Sequence, residues 1–174
     1  MNKQNKKIKR IKRIKRTGFF LLSAMFIILD QAIKFVVENN IVWGEHIEII
    51  SGFLYITRVY NNGAAWSILQ GANMLFIPLT AAATVTLIYF MVRWTQTKYL
   101  LSFALILGGA LGNFVDRVSA RPGVVDFVEV HFGTYIFPVF NLADSCIVIG
   151  DILMGLYILF VKEKSEAPEN HDDI

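Results

Sequence analysis

The 174-residue chain has little of what most hydrolytic and redox centres require. It contains one cysteine and three histidines. A lone Cys146 cannot form an internal disulfide, so thiol redox chemistry is not expected. The histidines show no metal-ligand spacing with it, which argues against a zinc site. The sequence also lacks a Ser-His-Asp constellation and a Gly-x-Ser-x-Gly turn. We therefore expect no metal, no cofactor and no serine nucleophile.

Long apolar stretches dominate what is present. Hydrophobic residues make up 55% of the chain, with 14 phenylalanines. A helix that crosses a bilayer needs about 20 apolar residues, and four stretches meet that requirement, at about 17–37, 71–92, 99–118 and 138–161. No remaining segment is long enough for a separate soluble domain. The pattern predicts an all-α, multi-pass membrane protein, with a helical domain at 17–162 between a basic extension (1–16) and a polar tail (163–174).

The distribution of Lys and Arg predicts the orientation. Nine of the 17 basic residues lie in the first 16 positions, and others lie in the second connection and in the tail. These segments are cytoplasmic by the positive-inside rule, so both termini are expected inside. The first and third connections, about 38–70 and 119–137, contain only Arg58 and Arg121 as basic residues. They are expected on the extracytoplasmic side.

The basic start of the chain has alternative interpretations. A cleaved signal peptide is disfavoured because Asp30, Gln31 and Lys34 interrupt a long apolar run, with no small-x-small cleavage site after it. The Ile-Lys-Arg triplets at 8–16 could form an arm for nucleic acid or for anionic lipid. We favour a topogenic segment held near the inner leaflet, with no nucleic-acid partner.

Polar residues within three of the predicted helices fall at one membrane level. With the orientation above, all lie just below the outer surface, where they could line a single wet cavity. A charged Asp at the centre of a span costs roughly 2.5 to 3.5 kcal/mol, so such groups are usually functional or paired. They are Asp30 and Lys34 in the first helix, Asn113, Asp116 and Arg117 in the third, and Asn141 and Asp144 in the fourth.

Two aspartates, Asp126 and Asp144, stand on either side of the entry of the last apolar stretch into the membrane. If they lie close together, mutual repulsion keeps one protonated while the other is ionised, as in aspartic proteases. One can then take a proton from water while the other polarises a carbonyl group. We therefore expect them to hydrolyse a peptide bond together.

Several of these polar and small residues also have purely structural interpretations. Asp30 and Lys34, one turn apart, could be a neutralising pair that allows helices to pack. Gly108 and Gly112 are more typical of a helix contact than of a site. For Asp151, seven residues beyond Asp144, we favour a protonated or hydrogen-bonded packing residue over a proton path.

Five strings along the chain resemble bacterial lipoprotein signal peptidase, also called signal peptidase II. They follow that family's order and span about 17–162. They are LDQ (29–31), NNGAAWSIL (61–69), GGALGNFVDR (108–117), VVDF (124–127) and FPVFNLADS (137–145). Three features depart from the family pattern: the long basic extension, Trp66 where Phe is more usual, and Asp151 where the family is commonly apolar.

The resemblance implies a specific activity and location. It implies an aspartic endopeptidase of the bacterial cytoplasmic membrane, active near the extracytoplasmic surface, that removes signal peptides from diacylglyceryl-modified prolipoproteins just before the lipidated cysteine. The catalytic pair falls on Asp126 and Asp144. The residues implied to hold substrate or the antibiotic globomycin are Asn61, Asn113, Arg117 and Asn141, with supporting roles for Asp30, Gln31, Lys34, Gly63 and Asp116.

The outward connections complete the prediction. Alternation in 41–60, with a turn at Ser51-Gly52, predicts a small antiparallel sheet similar to the β-cradle of this family. Residues 64–69 are expected to begin a short interfacial helix. Aromatic residues around 127–137 could cover the aspartates or form an interfacial belt. We expect a monomer in contact with membrane lipid. The rivals are a small transporter, an assembly factor, and a protease that does not require a lipidated cysteine.

Overall fold

The computed structural model describes residues 3–63, 73–93 and 99–160. In chain order they form α1 (Lys3–Asn40), β1 (His46–Ile50), β2 (Leu54–Asn61), α2 (Asn73–Arg93), α3 (Leu100–Val118), β3 (Val124–Phe132), β4 (Tyr135–Phe140) and α4 (Leu142–Phe160). Four helices are long and apolar enough to cross a membrane. The four predicted spans are therefore confirmed, while the interfacial helix expected at 64–69 lies outside the described residues.

Helix α3 occupies the centre of the bundle because its glycines allow close contacts. A Cβ on Gly108 would lie 3.1 Å from the Phe26 side chain of α1, and one on Gly109 would lie 2.3 Å from the Ala143 carbonyl oxygen of α4. A Cβ on Gly112 would meet both α1 and α4. The predicted helix contact at Gly108 and Gly112 is thus confirmed.

Helix α2 lies at the edge of this arrangement. It packs closely against α3 alone among the described elements, for example through the stacked rings of Phe90 and Phe103, 6.1 Å apart. Most of its apolar surface faces away from the protein. This position leaves α2 and α4 side by side without a close contact between them.

The four strands form one antiparallel sheet in the order β1-β2-β3-β4. Gly52 and Gly133, at φ of +67° and +63°, make the turns of its two hairpins, since glycine adopts positive φ without steric cost. The predicted sheet at 41–60 is confirmed as β1 and β2. The connection after α3, which we expected to be a loop over the site, instead forms the second hairpin, β3 and β4.

The sheet is fixed to the end of α1. Val37 of α1 and Ile41, which follows the helix, bury their side chains against Val125 and Phe127 of β3. Arg58 of β2 donates hydrogen bonds to the carbonyl oxygens of Glu38 and Ile41, at 2.9 and 3.1 Å. A cation at the C-terminal end of a helix is favourable and satisfies carbonyl groups that the helix leaves unpaired. The sheet and the helical bundle therefore share one buried junction.

Candidate active site

Helix α4 begins with a reciprocal pair of hydrogen bonds. The Asp144 backbone N–H donates to Asn141 Oδ1 at 2.8 Å, and the Asn141 backbone N–H donates to Asp144 Oδ2 at 3.1 Å. This is the geometry of a capping box, in which the residue before a helix and the third residue within it satisfy each other's N–H groups. The Asp144 carboxylate is therefore held at the first turn of the helix, where the helix dipole favours negative charge.

Asp126 reaches the same place from β3. It is 2% exposed, and its two oxygens accept hydrogen bonds from Asn141 Nδ2 at 2.6 Å and from Asn61 Nδ2 at 3.1 Å. Burial, together with the negative charge of Asp144, raises the pKa of Asp126 to about 7. At neutral pH a substantial fraction of this carboxyl is therefore protonated.

The Asn113 amide of α3 connects the two aspartates to the rest of the bundle. Its Oδ1 accepts hydrogen bonds from Lys34 Nζ and from Asn141 Nδ2, both at 3.0 Å. With two donors facing the oxygen, the Nδ2 group must point the other way, and it donates to Asp144 Oδ1 at 2.7 Å. The orientation of this amide is therefore fixed by Lys34, and it presents a donor to Asp144.

Lys34 lies at the centre of a buried ionic cluster beside the aspartates. Its ammonium group is fully buried and lies 2.7 Å from Asp30 Oδ2 and 2.7 Å from Asp116 Oδ2. Asp116 also pairs with Arg121, and Asp30 Oδ1 accepts the Ala143 backbone N–H at 3.0 Å. Removing a cation from water is costly unless partners compensate its charge, and two carboxylates do so here. The neutralising pair proposed for Asp30 and Lys34 is thus present.

A cavity of about 630 Å³ opens on the aspartates. Its polar end is lined by Asp126, Asp144, Asn61, Asn113 and Arg117. The remainder is apolar and runs between α2, α3 and α4, with Phe76, Leu79, Ala83, Leu87, Ile106, Ala110, Ile147 and Val148 in its walls. The cavity therefore joins two buried carboxylates to an apolar groove between helices.

Arg117 lies between these two parts of the cavity. Its guanidinium group lies 5.4 Å from the centre of the Phe76 ring and donates a hydrogen bond to the Gly63 carbonyl oxygen at 3.2 Å. Gly63 in turn donates its N–H to Asn61 Oδ1 at 2.9 Å. Arg117 therefore ties α3 to the end of β2, with its charge near both aspartates.

The residues selected from the sequence separate into two groups. Those that line the cavity are Asn61, Asn113, Arg117, Asp126 and Asp144. The others surround it: Asn141 is fully buried behind the aspartates, and Asp30, Lys34 and Asp116 form the adjacent ionic cluster. Gln31 joins that cluster through a 2.9 Å hydrogen bond from its Nε2 to Asp116 Oδ1. Asn141 accordingly holds the aspartates and has no exposed surface to offer a ligand.

The structure also bears on the expectations for Asp151 and for the two histidines of the outward connections. Asp151 is exposed on α4, so it is not the buried packing residue that we favoured. His46 and His131 both lie against the Glu129 carboxylate, at 3.1 and 2.5 Å. Within residues 3–63, 73–93 and 99–160, no group of three or more His, Cys, Asp or Glu side chains could hold a metal ion.

Sequence reasoning missed two members of the ionic network. Arg121 donates to Gln31 Oε1 at 2.8 Å and lies 2.7 Å from Glu38 Oε2, so it links the α3–β3 connection to α1. Arg121 and Glu38 were assigned to the predicted connections, and only tertiary contact identifies them as partners. The capping box was also missed, although its pattern stands in the sequence as Asn141-Leu-Ala-Asp144.

Comparison with known proteins adds an independent line of support. The family model described as Signal peptidase (SPase) II matches residues 22–160. A lipoprotein signal peptidase of Listeria monocytogenes serotype 4b (strain CLIP80459) is 43% identical over 151 residues, covering 86% of this chain and 97% of the relative. One of Bacillus pumilus (strain SAFR-032) is 39% identical over 150 residues, covering 85% and 96%.

The fold has a matching solved structure as well. A bacterial membrane enzyme determined by the in meso method at 2.3 Å resolution superimposes with a TM-score of 0.78 at 36% identity, covering 87% of this chain and 94% of that one. The family match covers the second half of α1, the three other helices and both hairpins. The chain is therefore a multi-pass membrane protein that belongs to the signal peptidase II family of aspartic-type peptidases.

Proposed function

We propose that this protein removes signal peptides from diacylglyceryl-modified prolipoproteins, cutting just before the lipidated cysteine with a water molecule activated by Asp126 and Asp144. The observation that carries the proposal is the joint position of the two carboxylates. They come from different elements, β3 and α4, yet the Asn113 and Asn141 amides hold both at one end of an apolar cavity. The family to which the chain belongs supports lipoprotein processing.

The surroundings of the two aspartates favour different roles, although each accepts two N–H hydrogen bonds. Asp144 lies in the first turn of α4, where the helix dipole favours the ionised carboxylate. Asp126, with its pKa raised to about 7 by burial and by the charge of Asp144, supplies the protonated partner. Asp144 is then the general base for water, and Asp126 is the acid that faces the carbonyl oxygen of the scissile bond.

The reaction proceeds through a tetrahedral intermediate. The water oxygen bonds to the scissile carbonyl carbon as its proton passes to Asp144, while Asp126 gives its proton to the carbonyl oxygen, leaving a gem-diol. Asp126, now ionised, takes a proton back from one hydroxyl of the diol. The carbon–nitrogen bond then breaks as Asp144 passes its proton to the departing nitrogen. The products are a carboxyl end on the signal peptide and a free amine on the lipidated cysteine.

The shape of the cavity supports a lipid-bearing substrate. Its apolar groove between α2, α3 and α4 has the chemistry of acyl chains and of an apolar signal helix, and its polar end places a peptide bond at the aspartates. Arg117, beside Gly63 at the boundary, is suited to hold a substrate carbonyl group. Globomycin, which the resemblance implies as an inhibitor, is expected to compete for this cavity.

The position in the membrane follows from charge. We infer that both ends of the chain face the cytoplasm, because nine basic residues precede residue 17 and the first and third connections contain one basic residue each. The sheet and the aspartates then lie at the extracytoplasmic surface of the bacterial cytoplasmic membrane. That is the level at which the lipidated cysteine of a membrane-anchored prolipoprotein emerges. We infer further that the chain acts as a monomer, since residues of this single chain line the cavity from α2, α3, α4 and the sheet.

A gel-shift assay tests this function. Purified protein in detergent is incubated with a diacylglyceryl-modified prolipoprotein and with its unlipidated form. Cleavage of the lipidated form alone, lost in Asp126→Asn and in Asp144→Asn, is the expected result. Asp151→Asn, an equivalent change at an exposed position outside the cavity, is the matched control and should retain most activity.

The other outcomes are equally informative. Normal cleavage by either dyad variant would overturn the catalytic assignment. Equal cleavage of the unlipidated form would favour a membrane protease with broader specificity. No cleavage by folded wild-type protein would favour a non-enzymatic role in transport or assembly.

A further inference from the structure

The first part of α1 extends beyond the thickness of a bilayer. The helix covers 38 residues from Lys3 to Asn40, so at 1.5 Å per residue it is about 57 Å long. A bilayer with its headgroups is about 40 to 45 Å thick. The excess of about 12 to 17 Å is about 8 to 11 residues. It falls within residues 3–16, which hold nine basic residues and no acidic ones and lie before the region matched by the family model.

This basic segment, residues 3–16, is also amphipathic. Ile8, Ile11 and Ile14 recur every third residue and fall within a sector of roughly 120° on a helix. They are 45%, 45% and 59% exposed. Lys7 and Lys15 share that sector, where long stems can lie along an apolar surface with their ammonium groups in water. The other side carries Lys6, Arg10, Lys12 and Arg13.

A straight helix would leave Ile8 and Ile11 without an apolar partner. They lie nine and six residues before Thr17, about 14 and 9 Å beyond the start of the apolar span, which is past a headgroup layer of about 5 to 8 Å. At the junction, Thr17 Oγ1 donates to the Arg13 carbonyl oxygen at 3.1 Å, a bond that tends to bend helices. Gly18 follows, with no atom within 4 Å of a Cβ position. The junction therefore has a feature that favours bending and free space in which to bend.

We propose that residues 3–16 dock on an anionic lipid surface, with the helix bending at Thr17-Gly18 so that Ile8, Ile11 and Ile14 enter the headgroup layer and the basic side chains contact lipid phosphates. Basic amphipathic helices bind such surfaces through buried apolar area and charge attraction. The orientation in the proposed function decides only which leaflet is contacted. The docking itself is independent of peptidase activity.

Spin labels on the full-length protein test the docking. Ile11→Cys places a label in the apolar sector, Arg13→Cys one on the basic side, and Leu21→Cys one on the lipid-facing span, each in a Cys146→Ala background. Nanodiscs of phosphatidylcholine alone are compared with nanodiscs containing equal parts of phosphatidylglycerol. The readout is the accessibility of the label to oxygen relative to its accessibility to an aqueous nickel chelate. This measurement requires no substrate, so its result does not depend on the proposed peptidase activity.

The expected result is specific to lipid charge. With phosphatidylglycerol, the Ile11 label becomes lipid-accessible and the Arg13 label stays aqueous, while the Leu21 label is unchanged. High salt reverses the effect, since it screens charges near the surface. Each Lys→Gln change at Lys6 or Lys12 should lower the ratio of docked to free segment by about fivefold, and the matched Lys→Arg changes should preserve it.

Three results would overturn the proposal. The first is an Ile11 label that stays aqueous on anionic discs. The second is unchanged docking in the Gln variants. The third is immobilisation of the segment by an added RNA oligonucleotide on neutral discs, without an effect of phosphatidylglycerol, which would assign the basic segment to nucleic acid.

Discussion

Replacing Lys34 by Met removes the one cation that lies between two buried carboxylates. Asp116 keeps its pairing with Arg121, but Asp30 keeps only the Ala143 N–H and a 3.3 Å bond from Gln31. Met matches the length of the lysine stem, so the change isolates the charge. Asn113 also loses a donor that fixes its amide orientation.

The size of the effect follows from burial. Lys34, Asp30 and Asp116 are each 1% exposed or less, and breaking a fully buried ion pair by removing one partner costs about 3 to 5 kcal/mol. For a chain of this length that corresponds to a fall in melting temperature of about 6 to 20 °C. Cleavage should also slow at temperatures where the variant is folded, because the Asn113 amide that donates to Asp144 loses one of the two donors that hold its oxygen.

The single cysteine provides the assay. Cys146 is buried, so its reaction with a thiol-reactive fluorophore on heating reports unfolding. The matched variant is Lys34→Met with Asp30→Asn, in which the uncompensated charge is gone and Asn can still accept the Ala143 N–H. It should recover a large part of the lost stability. The reasoning would be refuted by a Lys34→Met protein with the melting temperature of wild type, or by additive effects of the two substitutions on stability.

Three further predictions follow from single side chains. The pKa of Asp126 is raised from 3.8 to about 7, so the folded state binds more protons than the unfolded state between those pH values. The free energy of unfolding should therefore fall as the pH rises through that window, by roughly 4 kcal/mol in total. The value of kcat/KM should fall above about pH 7. Asp126→Asn should flatten that part of the melting profile, and an unchanged slope would contradict the assignment. Gly109→Ala places a Cβ 2.3 Å from the Ala143 carbonyl oxygen and should lower the free energy of unfolding by about 1 to 3 kcal/mol. Gly155→Ala, whose Cβ would have no described atom within 4 Å, should be neutral or stabilising. Equal melting temperatures of the two variants would argue against the tight α3–α4 contact. Thr57 Oγ1 is buried and has no hydrogen-bond partner among the described residues, so Thr57→Val should equal or exceed wild type in thermal stability. A loss above about 1 kcal/mol would reveal a partner in the rest of the chain or in solvent.

Hydropathy predicted the helices better than it predicted their boundaries. For α2 and α3 the predicted bounds differ from the structure by at most two residues. For α4 the prediction began at 138, but the helix starts at Leu142, because the apolar residues Tyr135–Phe140 form a strand that pairs with β3. Hydropathy does not distinguish a short apolar strand from the start of a helix. Pro138, which cannot donate to a strand partner, is tolerated because β4 is an edge strand.

The location of the candidate site was predictable from the sequence, whereas the hydrogen bonds and ion pairs within it were not. Depth along the helices brought Asn113 and Asp144 to one level from sequence alone, and Asp126 was placed beside them by its position just before the last apolar stretch. The direction of the Asn113 amide depends on donors from α1 and from the residue before α4, and no sequence pattern encodes that meeting. The pairing of Arg121 with Glu38 likewise joins residues 83 positions apart.

The separation of α2 from α4 has a consequence for how binding to the cavity is measured. A ligand with an acyl chain gains about 0.8 kcal/mol for each CH₂ that it buries in a bilayer, so nearly all of it resides in lipid before it meets the protein. Since the groove lies between two helices that are long and apolar enough to cross a membrane, we expect the relevant concentration to be the mole fraction of ligand in the membrane. A dissociation constant quoted per litre of water will therefore rise as lipid or detergent is added, while the same constant expressed per mole of lipid will stay fixed.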